Sequence, residues 1–341
     1  MTQQEKIKEK PVIGITIGDF NGIGPEVILK TLAEAHILQI CTPVVYGSGK
    51  IFNKYKRLLN FEEDIHFNTI KNSSEIHSRK INLINCWEED YEIEPGKVTE
   101  QAGVAAFKAL ERAANDLEEK SIAALVTAPI NKKNIQQEDF RFAGHTEFLA
   151  TKFKGDALMM LVSDVLRIAV VTGHIPLSEV KPSITKEALA KKLTLFYTSL
   201  KKDFQIIKPK IAVLGLNPHA GEDGLLGDEE KEIIIPLIED LRAKGLLIFG
   251  PYSADGFFGT REYRKFDGVL AMYHDQGLIP FKTISFETGV NFTAGLSVIR
   301  TSPDHGTAYE IAGKNRADEG SFREAVYLAI DLIKEKAGLS L

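Results

Sequence analysis

The chain has 341 residues, of which 44% are hydrophobic, 26% charged and 9% aromatic. That length allows about two domains or one large α/β unit, with a core that needs no covalent staples. Its 42 basic and 47 acidic side chains leave a formal net charge of −5, and without a lysine or arginine tract the chain offers no electrostatic footprint for nucleic acid or an acidic membrane.

Met1 to Lys10 is polar and lysine-rich with no apolar stretch behind it, which argues against a signal peptide. The longest apolar runs, such as Ile122–Leu125, are too short to span a bilayer. Short β-branched runs alternate with amphipathic stretches, the pattern of βα units around a mainly parallel sheet. In chain order this pattern predicts a strand over Val12–Ile17, a helix over Pro25–Ala35, strands over Pro43–Tyr46 and Ile81–Ile84, and a helix over Thr99–Leu117. Strands Ala123–Thr127 and Ile168–Thr172 follow, then helix Lys186–Leu200, strand Ile211–Gly215 and helix Glu229–Ala243. The series ends with strands Leu246–Phe249 and Gly268–Met272 and a helix over Phe322–Lys336. Pro25 suits a first helical position, Thr185 a helix cap and Gly245 a helix end.

Cys41 and Cys86 lie far apart and outside any metal spacing, so no disulfide framework is expected and a reducing cytoplasm fits. No repeat or linker marks a boundary. Several strands fall between Ala123 and Thr301, flanked by helical segments. This suggests one lobe built from both chain ends, 1–125 plus 302–341, and a middle lobe, 126–301.

The histidines are the best chemical signal. His36, His66 and His77 lie in polar surroundings and read as surface residues. His174, His219 and His274 each sit just beyond the carboxyl end of a predicted strand, where open α/β sheets bind ligands. Any one of them reads as an ordinary loop residue. Three repeats of the strand–turn–histidine layout point to a catalytic metal site of three imidazoles with open positions. His145 stands where a helix begins, which suits either an anion-binding role or a capping one.

Gly22-Ile23-Gly24-Pro25-Glu26-Val27 follows a strand and opens a helix, but Val27 replaces the third glycine of a dinucleotide fingerprint and Pro25 removes an amide donor. No G-x-x-x-x-G-K-[ST] loop and no G-x-S-x-G elbow occur, so nucleoside triphosphate and serine-hydrolase chemistry have no support. Lys282, Asn291 and Arg300 lie in a strand-like segment after His274, and together they would suit a phosphate group.

Six motifs resemble the 4-hydroxythreonine-4-phosphate dehydrogenases of pyridoxal phosphate biosynthesis. They are Gly18 to Glu26, Gly144 to Leu149, Thr172 to Leu177, Leu216 to Glu222, Tyr273 to Lys282 and Ile299 to Thr307, running nearly end to end. The resemblance implies an isocitrate/isopropylmalate dehydrogenase-like fold, a homodimer, and an active site between the subunits. It implies metal ligands His174, His219 and His274, and substrate contacts His145, Thr146, Lys282, Asn291 and Arg300. The wider superfamily's adenosine loop is similar to His305-Gly306-Thr307 through Ala312-Gly313-Lys314 and Asp318, so NAD or NADP would be bound without a glycine fingerprint. Asp275 stands as either the proton donor or the residue that orients His274. Two stretches depart from the family: Asp19-Phe20-Asn21-Gly22 where Asp-Pro-Ala-Gly is usual, and Ala254-Asp255-Gly256-Phe257-Phe258 where a threonine usually follows the aspartate.

The implied reaction is a metal-assisted, NAD-dependent oxidation and decarboxylation of 4-phosphooxy-L-threonine, with zinc, magnesium or cobalt as the ion. The rivals are a paralogue acting on threonate or erythronate phosphate, a phosphate acyltransferase, and a non-catalytic phosphometabolite-binding protein. The last two leave the strand-end histidines unexplained.

Overall fold

The computed structural model describes residues 10–137 and 140–338. It divides into two units, Met1–Gly155 with Leu296–Leu341, and Asp156–Gly295. The sequence suggests cuts at 125/126 and 301/302. The observed cuts, after Gly155 and Gly295, fall inside that middle lobe, because the segment after Thr127 stays packed in the first unit. There Phe148 meets the ring of Phe107 edge-on at 6.1 Å, and Lys152 pairs with Glu118 at 3.0 Å.

The first unit carries six parallel strands in the order β3-β4-β2-β1-β5-β12. They are β1 (Val12–Thr16), β2 (Thr42–Gly47), β3 (Phe67–Ile70), β4 (Ile81–Asn85), β5 (Ala124–Thr127) and β12 (Ile299–Pro303). Strands covered on both faces read as continuous apolar runs, and Ile13, Ile15, Val44, Val45, Leu125 and Val126 are all fully buried. The helices are α1 (Gly24–Ala33), the single turn α2 (Ile37–Ile40), α3 (Gly49–Leu58), α4 (Glu100–Glu118), α5 (His145–Lys152) and α11 (Gly320–Lys336). Pro25 stands in the first turn of α1, and the Thr99 hydroxyl caps α4 by accepting from the Ala102 N–H.

The second unit orders its strands β11-β6-β7-β10-β8-β9. They are β6 (Leu158–Val162), β7 (Arg167–Val170), β8 (Lys210–Leu214), β9 (Leu247–Tyr252), β10 (Gly268–Ala271) and β11 (Val290–Ala294). β6 runs antiparallel to both β11 and β7, whereas β7, β10, β8 and β9 are parallel. The helices are α6 (Leu177–Ser183), α7 (Lys186–Lys202), α8 (Ile235–Ala243), α9 (Ala254–Gly259) and α10 (His274–Ser285). Thr185 caps α7 and Gly245 follows α8 at φ +86°. The helix expected over Glu229–Ala243 opens instead with a wide turn, Glu230–Ile234. Lys282, expected in a strand-like segment, lies on α10. That helix contains Gly277 and Pro280, the two residues that disguise it in the sequence. Among the described residues no helix is long and apolar enough to cross a membrane.

Candidate active site

β7, β10 and β8 are neighbours in that order and run in parallel. Their carboxyl ends therefore share one edge of the second unit, and the turn after each carries one of the three candidate histidines. The rings of His174 and His274 lie 5.4 Å apart, centre to centre. Two imidazoles on one tetrahedral ion place their ring centres roughly 5 Å apart, so this pair fits a shared metal. His274 Nδ1 is 2.6 Å from Asp275 Oδ1, which leaves Nε2 as the donor to an ion. Asp275 thus stands where an orienting carboxylate would. The pair borders a cavity of about 510 Å³ lined by Gly173, Ile175, Leu177, Val180 and Tyr273.

His219 belongs to the turn Pro218–Gly224, and its backbone is left-handed at φ 52°. Ala220, Gly221, Glu222 and Asp223 continue at positive φ, a run that costs on the order of 1 kcal/mol per non-glycine residue and persists only where neighbours impose it. Glu230 is one such neighbour. Its carboxylate accepts the Asn217 N–H at 2.8 Å and the Asn217 Nδ2–H at 2.9 Å, and a Cβ on Gly221 would lie 2.7 Å from it. Asn217 Nδ2 also donates to Glu229, which pairs with Lys181 of α6. Glu229 and Glu230 lie beyond the motif Leu216 to Glu222, and no sequence signal marks them. Asp255 is a further neighbour: the Ser253 hydroxyl, the Gly256 N–H and His219 hold its carboxyl below the usual carboxylate range. A Cβ at Gly256 would meet no atom within 4 Å, so the family's threonine fits there and the departure leaves the backbone unaffected. Among the described residues, no group of three or more His, Cys, Asp or Glu side chains is arranged to hold a metal. One chain brings His174 and His274 together, and His219 is not part of that cluster.

The substrate candidates divide between the units. In the second, Lys282 is half-buried on α10. Asn291, on β11, has a buried Oδ1 with no hydrogen-bond partner. In the first, Arg300 is 3% exposed on β12, and both its Nε and Nη2 donate to Thr127 Oγ1 at the end of β5. Burial pushes its pKa down to about 10, while Glu147 acts in the opposite direction. His145 opens α5 with Thr146 beside it, and its buried Nε2 has no hydrogen-bond partner. Burial, then Arg300 and Lys132, hold its imidazole well below the usual histidine value. A buried arginine, a nearby lysine and a neutral imidazole with an open polar atom make a receptor for an anion. Thr127 and Lys132, which the sequence does not single out, belong to it.

The expected nucleotide loop lies in the first unit and is tied down along its length. The Thr307 carbonyl accepts from Ile23 N–H at 3.0 Å, and Asp304 N–H donates to Ser321 Oγ at 3.0 Å. The buried Glu26 accepts the Ala317 N–H at 2.8 Å, and Asp318, just ahead of α11, accepts the Gly320 N–H at 2.8 Å. A Cβ at Gly306 would meet open space, whereas Gly22 and Gly24 press against Thr307 and Ile17. The glycines of the failed fingerprint therefore serve chain packing. Asp19-Phe20-Asn21-Gly22 is a hub of the same unit. Asp19 accepts from Asn134 at 2.8 Å and Tyr309 at 2.7 Å, Phe20 stacks on Tyr91, and Asn21 clasps Glu94 and Thr99.

A family model for the pyridoxal phosphate biosynthetic protein PdxA matches residues 39–329. The chain is 49% identical to a 4-hydroxythreonine-4-phosphate dehydrogenase of Bacteroides thetaiotaomicron over 326 residues, covering 95% of this chain and 89% of that one. It is 39% identical over 335 residues to a protein of Oceanobacillus iheyensis provisionally named a D-threonate 4-phosphate dehydrogenase, covering 97% and 100%. Its fold is similar to the solved 4-hydroxythreonine-4-phosphate dehydrogenase of Klebsiella pneumoniae, with TM-score 0.82, 36% identity, and 95% and 98% of the chains covered. With matches of this extent, the chain belongs to the PdxA family of pyridoxal phosphate biosynthetic proteins.

Proposed function

We propose that the protein oxidises and decarboxylates 4-phosphooxy-L-threonine to 3-amino-2-oxopropyl phosphate in pyridoxal 5'-phosphate biosynthesis. It acts as a cytoplasmic homodimer with NAD or NADP and a divalent ion. The observation that carries the chemistry is the His174–His274 pair at adjacent strand ends, in a chain 49% identical to a protein named 4-hydroxythreonine-4-phosphate dehydrogenase. When bound, an ion on His174, His219 and His274 would acidify the substrate hydroxyl and polarise the resulting ketone, and the nicotinamide would accept the hydride.

The protein's own groups would do the rest. Asp275 holds the His274 ring by Nδ1 and keeps Nε2 facing outward. On the family resemblance, Lys282 and Asn291 of the second unit and His145, Thr146 and Arg300 of the first would each contact the substrate, with Lys282, Asn291 and Arg300 suited to its phosphate. The Nε2 of His145 in the first unit and the Oδ1 of Asn291 in the second are buried polar atoms without a hydrogen-bond partner. The loop from His305 to Asp318 would take the adenosine part of the nucleotide. In the balanced reaction the C3 hydrogen leaves as hydride to NAD and the hydroxyl proton is released. Carbon dioxide then departs from the β-keto acid, and a proton returns to the carbon it leaves.

The dimer has a physical motive in this chain. Exposed Ile175 and Leu177 flank His174, Leu225 and Leu226 follow His219, and Ile279 stands one turn beyond His274. Apolar side chains rimming a polar site mark a surface that a partner covers, and a second copy could supply the ligand missing from the His174–His274 pair.

NADH absorbance with purified protein, 4-phosphooxy-L-threonine, NAD and a divalent metal tests the proposal. Chelator-sensitive NADH formation is expected. Activity on threonate or erythronate phosphate alone would reassign the substrate, a reading favoured by the Oceanobacillus relative. No activity with any of these substrates would refute the proposal.

A further inference from the structure

One amide laces together the roots of all three histidine turns. Gln276, half-buried in the first turn of α10, accepts the Met272 N–H through Oε1 at 2.7 Å and donates through Nε2 to the Gly215 carbonyl at 2.6 Å. Met272 closes the end of β10 just before His274, and Gly215 follows β8 and leads into the His219 turn. On the other side, the Met272 carbonyl accepts both the N–H and the hydroxyl of Thr172, at 3.1 and 2.9 Å. Thr172 follows β7 two residues before His174. An unbroken chain, Thr172–Met272–Gln276–Gly215, therefore crosses the carboxyl ends of three adjacent strands beyond the last ladder pairs, Ala271–Val170 and Leu270–Val213.

The chemistry of this position is specific. One neighbour is an N–H and the other a carbonyl, so the side chain must accept at one end and donate at the other. A carboxylate would meet the first need and set an anion against the Gly215 oxygen. An alkyl group would meet neither, and would leave two backbone groups unpaired.

We propose that Gln276 is the positioning residue of the metal centre. It acts through the backbone: by tying Gly215 to Met272 it fixes how the His219 and His274 turns leave one edge of each chain, and so how a copy presents both its own His174–His274 pair and the His219 it offers to a second copy. Outer groups that orient metal ligands change affinity by about 10–100-fold when removed. This inference rests on the three-histidine reading above.

The test is cobalt(II) binding to the purified full-length protein, followed by calorimetry and by the visible absorption of the bound ion. The protein is compared with Gln276→Glu, Gln276→Leu, Thr172→Val and His219→Ala. Expected is a 10–100-fold weaker cobalt affinity and a shifted visible band for both Gln276 variants, with a smaller effect for Thr172→Val. A purely structural role would lower the Tm of the metal-free protein and leave the cobalt affinity of the folded fraction unchanged, which would overturn the inference. Gln276→Glu preserves size and shape, so it decides the question if Gln276→Leu fails to fold. Wild-type affinity in the Gln276 variants beside a loss in His219→Ala would refute the positioning role and leave the three-histidine site standing. Undiminished affinity in His219→Ala would refute the site itself.

Discussion

His145 carries a sharp thermodynamic consequence. It is 9% exposed, and burial together with Arg300 and Lys132 holds its imidazole well below the usual range. In the unfolded chain the same ring titrates near 6.5. Below about pH 6.5 the unfolded state binds a proton that the native state refuses, so stability falls as pH falls through that value. Above it, both states carry a neutral ring and the contribution is flat. For a native ring that stays neutral throughout, the loss between pH 7.5 and 5.5 comes to about 1.4 kcal/mol. The assay is urea denaturation at both pH values, for the wild type and for His145→Asn. The wild type should lose about 1.4 kcal/mol more than the variant over that interval. Inorganic phosphate should shrink the difference, because an anion against the ring favours its charged form. An identical pH dependence in the two proteins would refute both the burial argument and the anion receptor built on it.

Lys282→Ala should raise KM for the phosphorylated substrate by about 10-fold or more, as expected for losing a charged hydrogen bond of about 1.5–3 kcal/mol, with a smaller change in kcat. An unchanged KM would remove Lys282 from the phosphate site. Asn21→Ala, which introduces the residue usual in the family, removes the acceptor of the Glu94 N–H at 2.7 Å and the donor to Thr99 Oγ1 at 3.0 Å. It should cost about 1–3 kcal/mol in chemical denaturation, and an unaltered midpoint would show that the clasp carries no stability.

The parallel strands were legible in the sequence because both of their faces are buried, so runs such as Val12–Ile17 and Ala123–Thr127 stand out against amphipathic helices. The strands that escaped notice lack that signature. Leu158–Val162 is rich in leucine and methionine, which suit a helix equally well. Ile299–Pro303, read only as part of a strand-like segment around Arg300, breaks its apolar run with Arg300 and two hydroxyls, which suit the proposed anion receptor. Under the proposed function, the polar residues there would be the reason that the hydrophobic pattern breaks. Helix α10 escaped for a packing reason: a Cβ on Gly277 would lie 3.0 Å from Val170, so a larger residue would force the helix off β7. The candidate histidines stand out by their place after strands, which local sequence reveals. Lys132, Thr127, Glu230 and Gln276 were not, since their roles depend on which strands become neighbours.

That distinction explains how the candidate metal centre is constructed. Neighbouring strands are about 4.8 Å apart, so β7 and β8, on either side of β10, stand roughly 10 Å apart at their ends. Turns leaving ends so widely spaced have no ladder to hold their register. The fold replaces the ladder with side chains: Thr172 and Gln276 across the strand ends, and Asn217, Glu229 and Lys181 between the His219 turn and α6. The Asn217–Glu230 bonds also hold the left-handed run after His219, which offsets a backbone cost the turn could not carry alone. A ligand set presented this way would depend on polar groups away from the imidazoles. Metal affinity should therefore be sensitive to substitutions at Gln276 and Glu230 that leave every histidine in place, while apolar substitutions deep in β7 or β10 should act on stability first.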